Sequence, residues 1–259
     1  MSPRIAAAFA LLPGYLGQHV LLSAAALALG LVLSLPLAIA AARGPRLRWV
    51  VLTLAGTVQT IPSLALLALF YPLLLALSAL TRAWFGVGFS ALGFLPSLLA
   101  LTLYSMLPIL RNTVAGLNGV DPAIVEAARG VGMTERQRLV LVELPLAAPV
   151  IMAGVRTAAV WTIGAATLAT PVGQTCLGDY IFSGLQTEDW VLVLFGCVSA
   201  ALLALVADQL LALIESGAAR RDRVRALVGA GGLILGVLVA LSPLVSAGSA
   251  APKVVIGAK

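Results

Sequence analysis

The chain has 259 residues, of which 61% are hydrophobic and only 10% are charged, and its mean hydropathy is +1.08. Soluble globular domains are about half apolar and about a quarter charged, so this composition excludes them and indicates a polytopic membrane protein. The net charge of +6 does not indicate nucleic-acid binding, because the basic residues cluster at the ends of apolar segments instead of forming one basic face.

Six apolar stretches are long enough to cross a bilayer, which takes about 20 helical residues. They cover 20–42, 49–80, 96–119, 149–171, 190–214 and 227–247. We therefore predict an all-α polytopic membrane fold with about six transmembrane helices. Arginines cluster after the first, third and fifth stretches, so the positive-inside rule places those clusters in the cytoplasm and both chain ends outside.

The second stretch is long for one crossing and short for two. It contains Pro62 and Pro72, each of which removes a backbone hydrogen bond and bends a helix. The arginine clusters on either side require an even number of crossings between them, and the third stretch supplies one. We predict a single crossing by a tilted or broken helix, which either lines a passage or only improves packing.

The longest polar passage inside the apolar sequence is 121–145, between the third and fourth crossings. Asp121 followed by Pro122 predicts a helix start, because an aspartate side chain accepts a free N–H and proline has none to lose. Gly132 predicts the flexible break that ends this helix. Thr134 and Gln137 match a capping box that opens a second helix. The passage therefore predicts two short helices that meet at an elbow.

Side chains of this elbow suit a docking surface. Glu126 offers a charge to a partner, while Ala127 and Ala128 keep one face small enough for another surface to approach. Leu144 followed by Pro145 predicts the end of the second helix, because the residue before a proline avoids α-helical geometry. The alternative interpretation is an ordinary amphipathic cytoplasmic loop.

The order Glu-Ala-Ala, Gly132 and Leu144-Pro145 resembles the EAA loop of ABC importer permeases of type I. The segments QTIPSLALLALFYPLLL, ALTLYSMLPILRNTVAGLNGVDPAIVEAARGVGM and PVGQTCLGDYIFSGLQTEDW are similar to permeases of osmoprotectant uptake systems. Those systems import glycine betaine, choline, carnitine or related quaternary ammonium solutes. The solute assignment rests on this resemblance alone, because analogy at the level of the fold is a weak guide to specificity.

The resemblance implies a five-helix importer core with a cytoplasmic coupling helix pair, in the bacterial cytoplasmic (inner) membrane. It also implies partners: two copies of an ABC ATPase on the EAA loops, a second permease copy forming a homodimer, an extracytoplasmic substrate-binding protein and the lipid bilayer, with no nucleic acid. The chain carries no P-loop motif. We therefore expect a subunit that is not an enzyme and holds no cofactor or metal, with ATP and Mg²⁺ bound by the ATPase.

Two further groups of residues are candidate functional features. Gly173, Gly178 and Asp179 follow the fourth crossing on the outside and belong either to an outer gate or to a simple extracellular loop. Arg156 and Asp208 each lie about 10 Å inside a predicted crossing from its cytoplasmic end. They either form an interhelical ion pair or reach the membrane surface separately.

The histidine and the cysteines carry little functional signal. His19 precedes the first predicted crossing and has no catalytic companion, so we interpret it as an interfacial residue. Cys176 and Cys197 lack a CxxC motif or a Cys/His cluster, which argues against a metal site and against a disulfide.

The predicted organisation has four parts. They are an external segment at 1–19, a permease domain at 20–214, a basic turn with a sixth helix at 215–247, and an external tail at 248–259. The region after residue 220 has the basic, apolar and small-residue order of a secretory signal peptide. The tail looks like the first strand of a substrate-binding protein, so we hypothesise a permease fused to a binding domain; a disordered terminal tail is the alternative.

Three other functions compete with osmoprotectant import. One is an ABC permease for another small solute, such as the amino acid methionine. Another is a gradient-driven secondary carrier, a class that often shows inverted repeats and needs intramembrane ionisable groups. The third is a scaffold that moves no solute. No convincing internal repeat is visible, and Asp208 is the one candidate coupling group in the sequence.

Overall fold

The computed structural model describes residues 3–220 and 222–247, and every regular element in these ranges is helical. In chain order they are α1 (Pro3–Arg43), α2 (Pro45–Thr60), α3 (Ser63–Phe85), α4 (Phe94–Asn118), α5 (Pro122–Gly130), α6 (Glu135–Arg138), a π-helical segment (Leu139–Glu143), α7 (Leu144–Ala166), a 3₁₀ segment (Thr167–Val172), α8 (Gly178–Gln186), α9 (Trp190–Arg220) and α10 (Arg223–Ala247). Six helical stretches among the described residues are long and apolar enough to cross a membrane. The predicted all-α polytopic fold is confirmed.

Helices α1, α4 and α7 form the centre of the molecule, with α4 packed against both of the others. The contact points are small residues. A Cβ added to Gly30 of α1 would lie 1.9 Å from the Ser105 Oγ in α4, and one added to Gly154 of α7 would lie 2.5 Å from the Asn112 Cβ in α4. Membrane helices associate through such close packing because lipid tails are as apolar as the side chains they would replace.

Helix α1 begins at Pro3 and spans 41 residues, whereas the predicted crossing began at residue 20. Its first half packs against α8 and α9. The Tyr180 hydroxyl donates a hydrogen bond of 2.7 Å to the carbonyl oxygen of Ala8, and the rings of Phe9 and Phe195 meet with centroids 5.0 Å apart. The hydropathy pattern did not reveal this part of α1 because a proline and two polar residues interrupt the apolar run.

The second predicted crossing is broken into α2 and α3 at Pro62. Ile61 is extended (φ −76°, ψ 125°), as expected for a residue before proline. Helix α4 supplies partners at the break: the Tyr104 hydroxyl donates to the carbonyl oxygen of Ile61, and Gln59 Nε2 donates to the carbonyl oxygen of Tyr104 at 3.1 Å. The predicted interruption is confirmed at Pro62, while α3 continues through Pro72.

Helix α10 packs along α9 and α1 at the C-terminal end of the described chain. Gly229 allows the close approach to α9, because a Cβ there would lie 2.6 Å from the carbonyl oxygen of Leu210. The hypothesis that 248–259 begins a binding domain falls on residues outside the described ranges.

We expect Gly154→Ala to destabilise the protein by about 1–3 kcal/mol, because an inserted methyl group must displace Asn112 and the α4 backbone. Gly164→Ala is the matched control on α7, since nothing lies within 4 Å of its added Cβ. Thermal unfolding of both variants in detergent is the measurement. Equal melting temperatures for the two variants would contradict the packing described here.

Candidate functional site

The polar passage after α4 folds as a capped helix that stands outside the membrane-spanning core. The Asp121 carboxylate accepts a hydrogen bond of 2.8 Å from the backbone N–H of Ala123, and Pro122 occupies the first helical turn. The predicted helix start is confirmed. Glu126 and Ala127 are exposed on α5, whereas Ala128 is buried against the rest of the chain. The open face of α5 therefore carries Glu126 and Ala127 but not Ala128.

The elbow after α5 depends on the backbone of Gly132. This residue has φ +81°, in the left-handed region that glycine tolerates. The Gly132 amide donates to the carbonyl oxygen of Arg129 at 2.9 Å, and the Met133 amide donates to that of Ala128 at 3.1 Å. A Cβ on Gly132 would meet nothing within 4 Å, so conformation, rather than space, requires glycine here.

A capping box opens the helix that follows, as the sequence predicts. The Gln137 amide donates to the Thr134 Oγ1 at 3.3 Å, and the Thr134 amide donates to the Gln137 Oε1 at 2.9 Å. The elbow is thus closed on both sides by local hydrogen bonds, which fixes the angle between α5 and α6.

The predicted helix end at Leu144 and Pro145 is wrong. Both residues stay helical, and the chain runs as one helical stretch of 38 residues, Glu135–Val172. The segment before Leu144 is π-helical, with the Leu144 amide donating to the carbonyl oxygen of Leu139 five residues back. A wider turn makes room for a proline ring that would otherwise clash with the carbonyl four residues earlier. The loop is therefore joined rigidly to α7.

An ion cluster that the sequence analysis did not anticipate links this helix to α1. Arg138 donates from Nε to Glu143 Oε1 at 2.6 Å and from Nη1 to Glu135 Oε1 at 2.8 Å. Arg43, the last residue of α1, donates to Glu135 and, at 3.3 Å, to Glu143. Residues five apart do not share a face of a regular α-helix, so the π-helical segment is what brings Glu143 to Arg138.

We call these four residues the clasp: Arg43, Glu135, Arg138 and Glu143. The Arg138 side chain is only 5% exposed and that of Glu143 is 11% exposed. Each charge is therefore compensated by the other instead of by water. The sequence signal for the clasp was limited to the Glu135 and Arg138 spacing of three residues, which is common on helices. The contact with Arg43 crosses 92 positions of the chain and is decided by tertiary structure alone.

A second ion cluster ties α7 to α9. Arg156 donates from Nε to Asp208 Oδ1 at 2.8 Å and from Nη2 to Asp208 Oδ2 at 2.9 Å, which brings together the two residues considered as a pair. Its Nη1 also donates to Glu215 Oε2 at 2.7 Å. Glu215 was missed, although it follows Asp208 by seven positions and so lies on the same face of α9.

The residues proposed for an outer gate lie in a compact connection between α7 and α8. Gly173 has φ +85°, and a Cβ on Gly178 would lie 1.9 Å from the carbonyl oxygen of Thr167. The Asp179 Oδ2 accepts from the Cys176 amide at 3.3 Å. Cys176 is completely buried, and burial raises the pKa of its thiol. This connection is a packed part of the structure, and a simple exposed loop does not describe it.

The interpretation of His19 as interfacial is wrong. The side chain is completely buried within α1, where the His19 Nε2 lies 3.0 Å from the carbonyl oxygen of Ile163 and its Nδ1 accepts from the Leu177 amide at 3.4 Å. A neutral ring with the proton on Nε2 satisfies both contacts. His19 therefore links α1 to α7 and to the residue before α8, a role that no local sequence signal could show.

No group of three or more His, Cys, Asp and Glu side chains suited to a metal ion exists within 3–220 and 222–247. The charged clusters of the described chain consist of arginines held by carboxylates, an arrangement that positions helices.

Comparison with known proteins places this geometry in a family. Residues 30–220 match the family described as the binding-protein-dependent transport system inner membrane component. The chain is 41% identical over 199 residues to the glycine betaine/carnitine/choline transport system permease protein OpuCB of Bacillus subtilis, covering 77% of this chain and 84% of that protein. It is 39% identical over 202 residues to the osmoprotectant import permease protein OsmW of Salmonella typhimurium, covering 76% and 89%.

Solved structures share the fold at low sequence identity. An inward-facing structure of the MetNI methionine ABC transporter superposes with a TM-score of 0.66 at 19% identity, covering 88% of this chain and 99% of that chain. An amino acid ABC transporter crystallised with histidines gives a TM-score of 0.65 at 20% identity, covering 82% and 96%. Six helical stretches in the described part of the chain are long and apolar enough to cross a membrane, and the chain is a multi-pass inner-membrane protein that belongs to the family of permease components of binding-protein-dependent transport systems.

Proposed function

We propose that this chain is the transmembrane subunit of an ATP-driven importer for quaternary ammonium compatible solutes such as glycine betaine, carnitine or choline. The observation that carries the coupling part of this proposal is the capped elbow joined without interruption to the helix Glu135–Val172. The solute class is supported by relatives of about 40% identity whose names specify these solutes.

The partners follow from the same proposal. Two ATPase subunits bind ATP and Mg²⁺ and dock on the elbows of two permease copies, and an extracytoplasmic binding protein or fused domain delivers the solute. The elbow offers a docking surface, because the apolar side chains of Ile124 and Val131 are 41% and 75% exposed beside the charge of Glu126. Exposed apolar groups next to a charge are typical of surfaces that bind a protein partner.

The mechanism is mechanical. Movement of the docked ATPase displaces α5, and the closed elbow passes this displacement to α6. The helix continues through the π-helical segment into α7, so the displacement enters the membrane along a rigid element. The clasp carries part of it to the end of α1 through Arg43, and the Arg156 cluster carries it to α9. Three membrane helices thereby move with one loop.

Uptake by purified permease, ATPase and binding protein in vesicles tests the proposal as a whole. We expect accumulation of glycine betaine or choline only with ATP on the ATPase side. Uptake driven by an ion gradient without ATP would indicate a secondary carrier instead. Uptake of methionine with exclusion of quaternary ammonium solutes would retain the importer but contradict the solute class.

Gly132→Ala is expected to weaken ATPase association about ten-fold, because an alanine in the left-handed region costs about 1–2 kcal/mol and tilts the elbow away from its docking angle. The affinity of detergent-purified permease for its ATPase is the measurement. Gly130→Ala is the matched control, since Gly130 has no positive φ and nothing lies near its added Cβ. Equal affinities for the two variants would show that the elbow geometry is unimportant.

Arg43→Gln is expected to lower solute uptake several-fold while ATPase association stays unchanged, because it cuts the clasp without touching α5. Arg46→Gln is the control: it removes the same charge from the same cytoplasmic turn, and Arg46 forms no salt bridge within the described parts of the chain. Vesicle uptake and ATPase binding are measured together for each variant. A similar loss of uptake in both would assign the effect to surface charge rather than to the clasp.

A further inference from the structure

An open groove on the described chain lies along α2 and reaches α4. Its volume is about 770 Å³. Its lining includes Trp49, Thr53, Gly56, Thr57, Thr60 and Arg111. None of these residues belongs to the coupling loop, the clasp or the Arg156 cluster, so the groove has no part in the mechanism described so far.

The wall of the groove formed by α2 carries a row of threonines. Thr53, Thr57 and Thr60 are exposed and follow one another at intervals of four and three residues, which places them on one face of the helix. Helix α2 has 16 residues and is not among the stretches long and apolar enough to cross a membrane alone. The Thr57 hydroxyl donates to the carbonyl oxygen of Thr53 at 2.9 Å and the Thr60 hydroxyl to that of Thr57 at 2.8 Å, so the hydroxyl oxygens remain as acceptors on this face.

Arg111 lies at this row of threonines with no counter-ion. It precedes the cytoplasmic end of α4 by seven residues, or about 10 Å. Its Nη2 lies 3.8 Å from the position of a Cβ on Gly56, so the guanidinium rests against α2 where that helix has no side chain. Arg111 has no salt bridge among residues 3–220 and 222–247.

Comparison with Arg156 shows why the lack of a counter-ion at Arg111 matters. Arg156 lies within the membrane-crossing stretch Glu135–Val172, where two carboxylates compensate its charge. An arginine at comparable depth without a partner costs free energy, and such residues mark a path for a solute or an ion. The chemistry that satisfies a guanidinium best is a carboxylate, which accepts two parallel hydrogen bonds from it.

We propose that this groove lines part of the solute path, and that Arg111 binds the carboxylate of zwitterionic quaternary ammonium solutes as they cross. The inference rests on the proposed function and extends it to the path itself. Trp49, which is 70% exposed in the same groove, offers an aromatic face to a trimethylammonium group. Choline has no carboxylate, so its passage does not depend on Arg111.

An anionic phospholipid headgroup is the other ligand with suitable chemistry. Basic pockets between membrane helices do bind such headgroups near the cytoplasmic surface. The exposed indole of Trp49 favours the solute, because anionic headgroups carry no trimethylammonium group for it to contact. Vesicles with and without anionic lipid separate the two.

Arg111→Gln in the complete complex of permease, ATPase and binding protein is the test. We expect glycine betaine uptake to fall at least about ten-fold, the loss of a charge-assisted interaction, while choline uptake changes by less than about two-fold. Arg111→Lys keeps the charge and is expected to restore part of the glycine betaine uptake. Arg46→Gln is the control, because it removes a charge from the start of α2 outside the groove lining, and we expect it to leave the uptake of both solutes unchanged.

Each outcome decides the inference. An equal fall in glycine betaine and choline uptake would overturn it, as would a wild type that imports choline but no carboxylate-bearing solute. If the wild type excludes choline, failure of lysine to restore glycine betaine uptake overturns it. If Arg111→Gln lowers glycine betaine uptake only in vesicles that contain anionic lipid, Arg111 binds a lipid headgroup and the inference is overturned. A wild type that imports no quaternary ammonium solute overturns the proposed function itself.

Discussion

The rest of the structure depends on the unbroken helical backbone that joins the loop 121–145 to α7 at Pro145. Proline normally ends or kinks a helix, yet here the π-helical segment Leu139–Glu143 lets the chain pass Pro145 without leaving helical geometry. A π-helical turn is uncommon and is often found at functional sites. In this chain it has two effects at once: it preserves a rigid connection into α7, and it rotates Glu143 toward Arg138 to form the clasp.

Two ion clusters connect the helical stretch Glu135–Val172 to neighbouring helices. The clasp joins the start of the helical stretch Glu135–Val172 to α1, and Arg156 joins its middle to α9. Each arginine is held by carboxylates, which offsets the free-energy cost of placing a charge away from water. The cost of removing both charges from water offsets much of their attraction. Such pairs therefore fix the geometry of the helices more than they add to net stability. They connect α1 and α9 to the helical stretch that contains α7.

The two ends of the molecule differ in how tightly they are packed. At the end of the molecule where α7 meets α8, His19, Cys176 and Tyr180 are buried and hydrogen-bonded across α1, α7 and α8, so the connection after α7 is tightly packed. At the other end of α4, an open groove lined by Arg111 remains. Helix α4 therefore runs from the packed end, where the Gly93 amide donates to the carbonyl oxygen of Val172, to the open groove.

The sequence by itself determined the features that depend on short-range chemistry. The capped start at Asp121, the glycine elbow at Gly132, the capping box at Thr134 and the break at Pro62 each follow from a few neighbouring residues, and the structure confirms them. Six crossings follow likewise from hydropathy, because the bilayer sets their length.

Only the tertiary structure decided what happens where several elements meet. The continuation through Pro145, the burial of His19 and the contact of Arg43 with Glu135 and Glu143 depend on partners distant in the chain. No local pattern encodes them, because a proline, a histidine or an arginine has the same neighbours in sequence whether its partner is water, lipid or another helix. Tertiary packing decides which of these environments each residue occupies. The loop 121–145 can be recognised as a sequence motif, but only packing makes it continuous with a membrane helix.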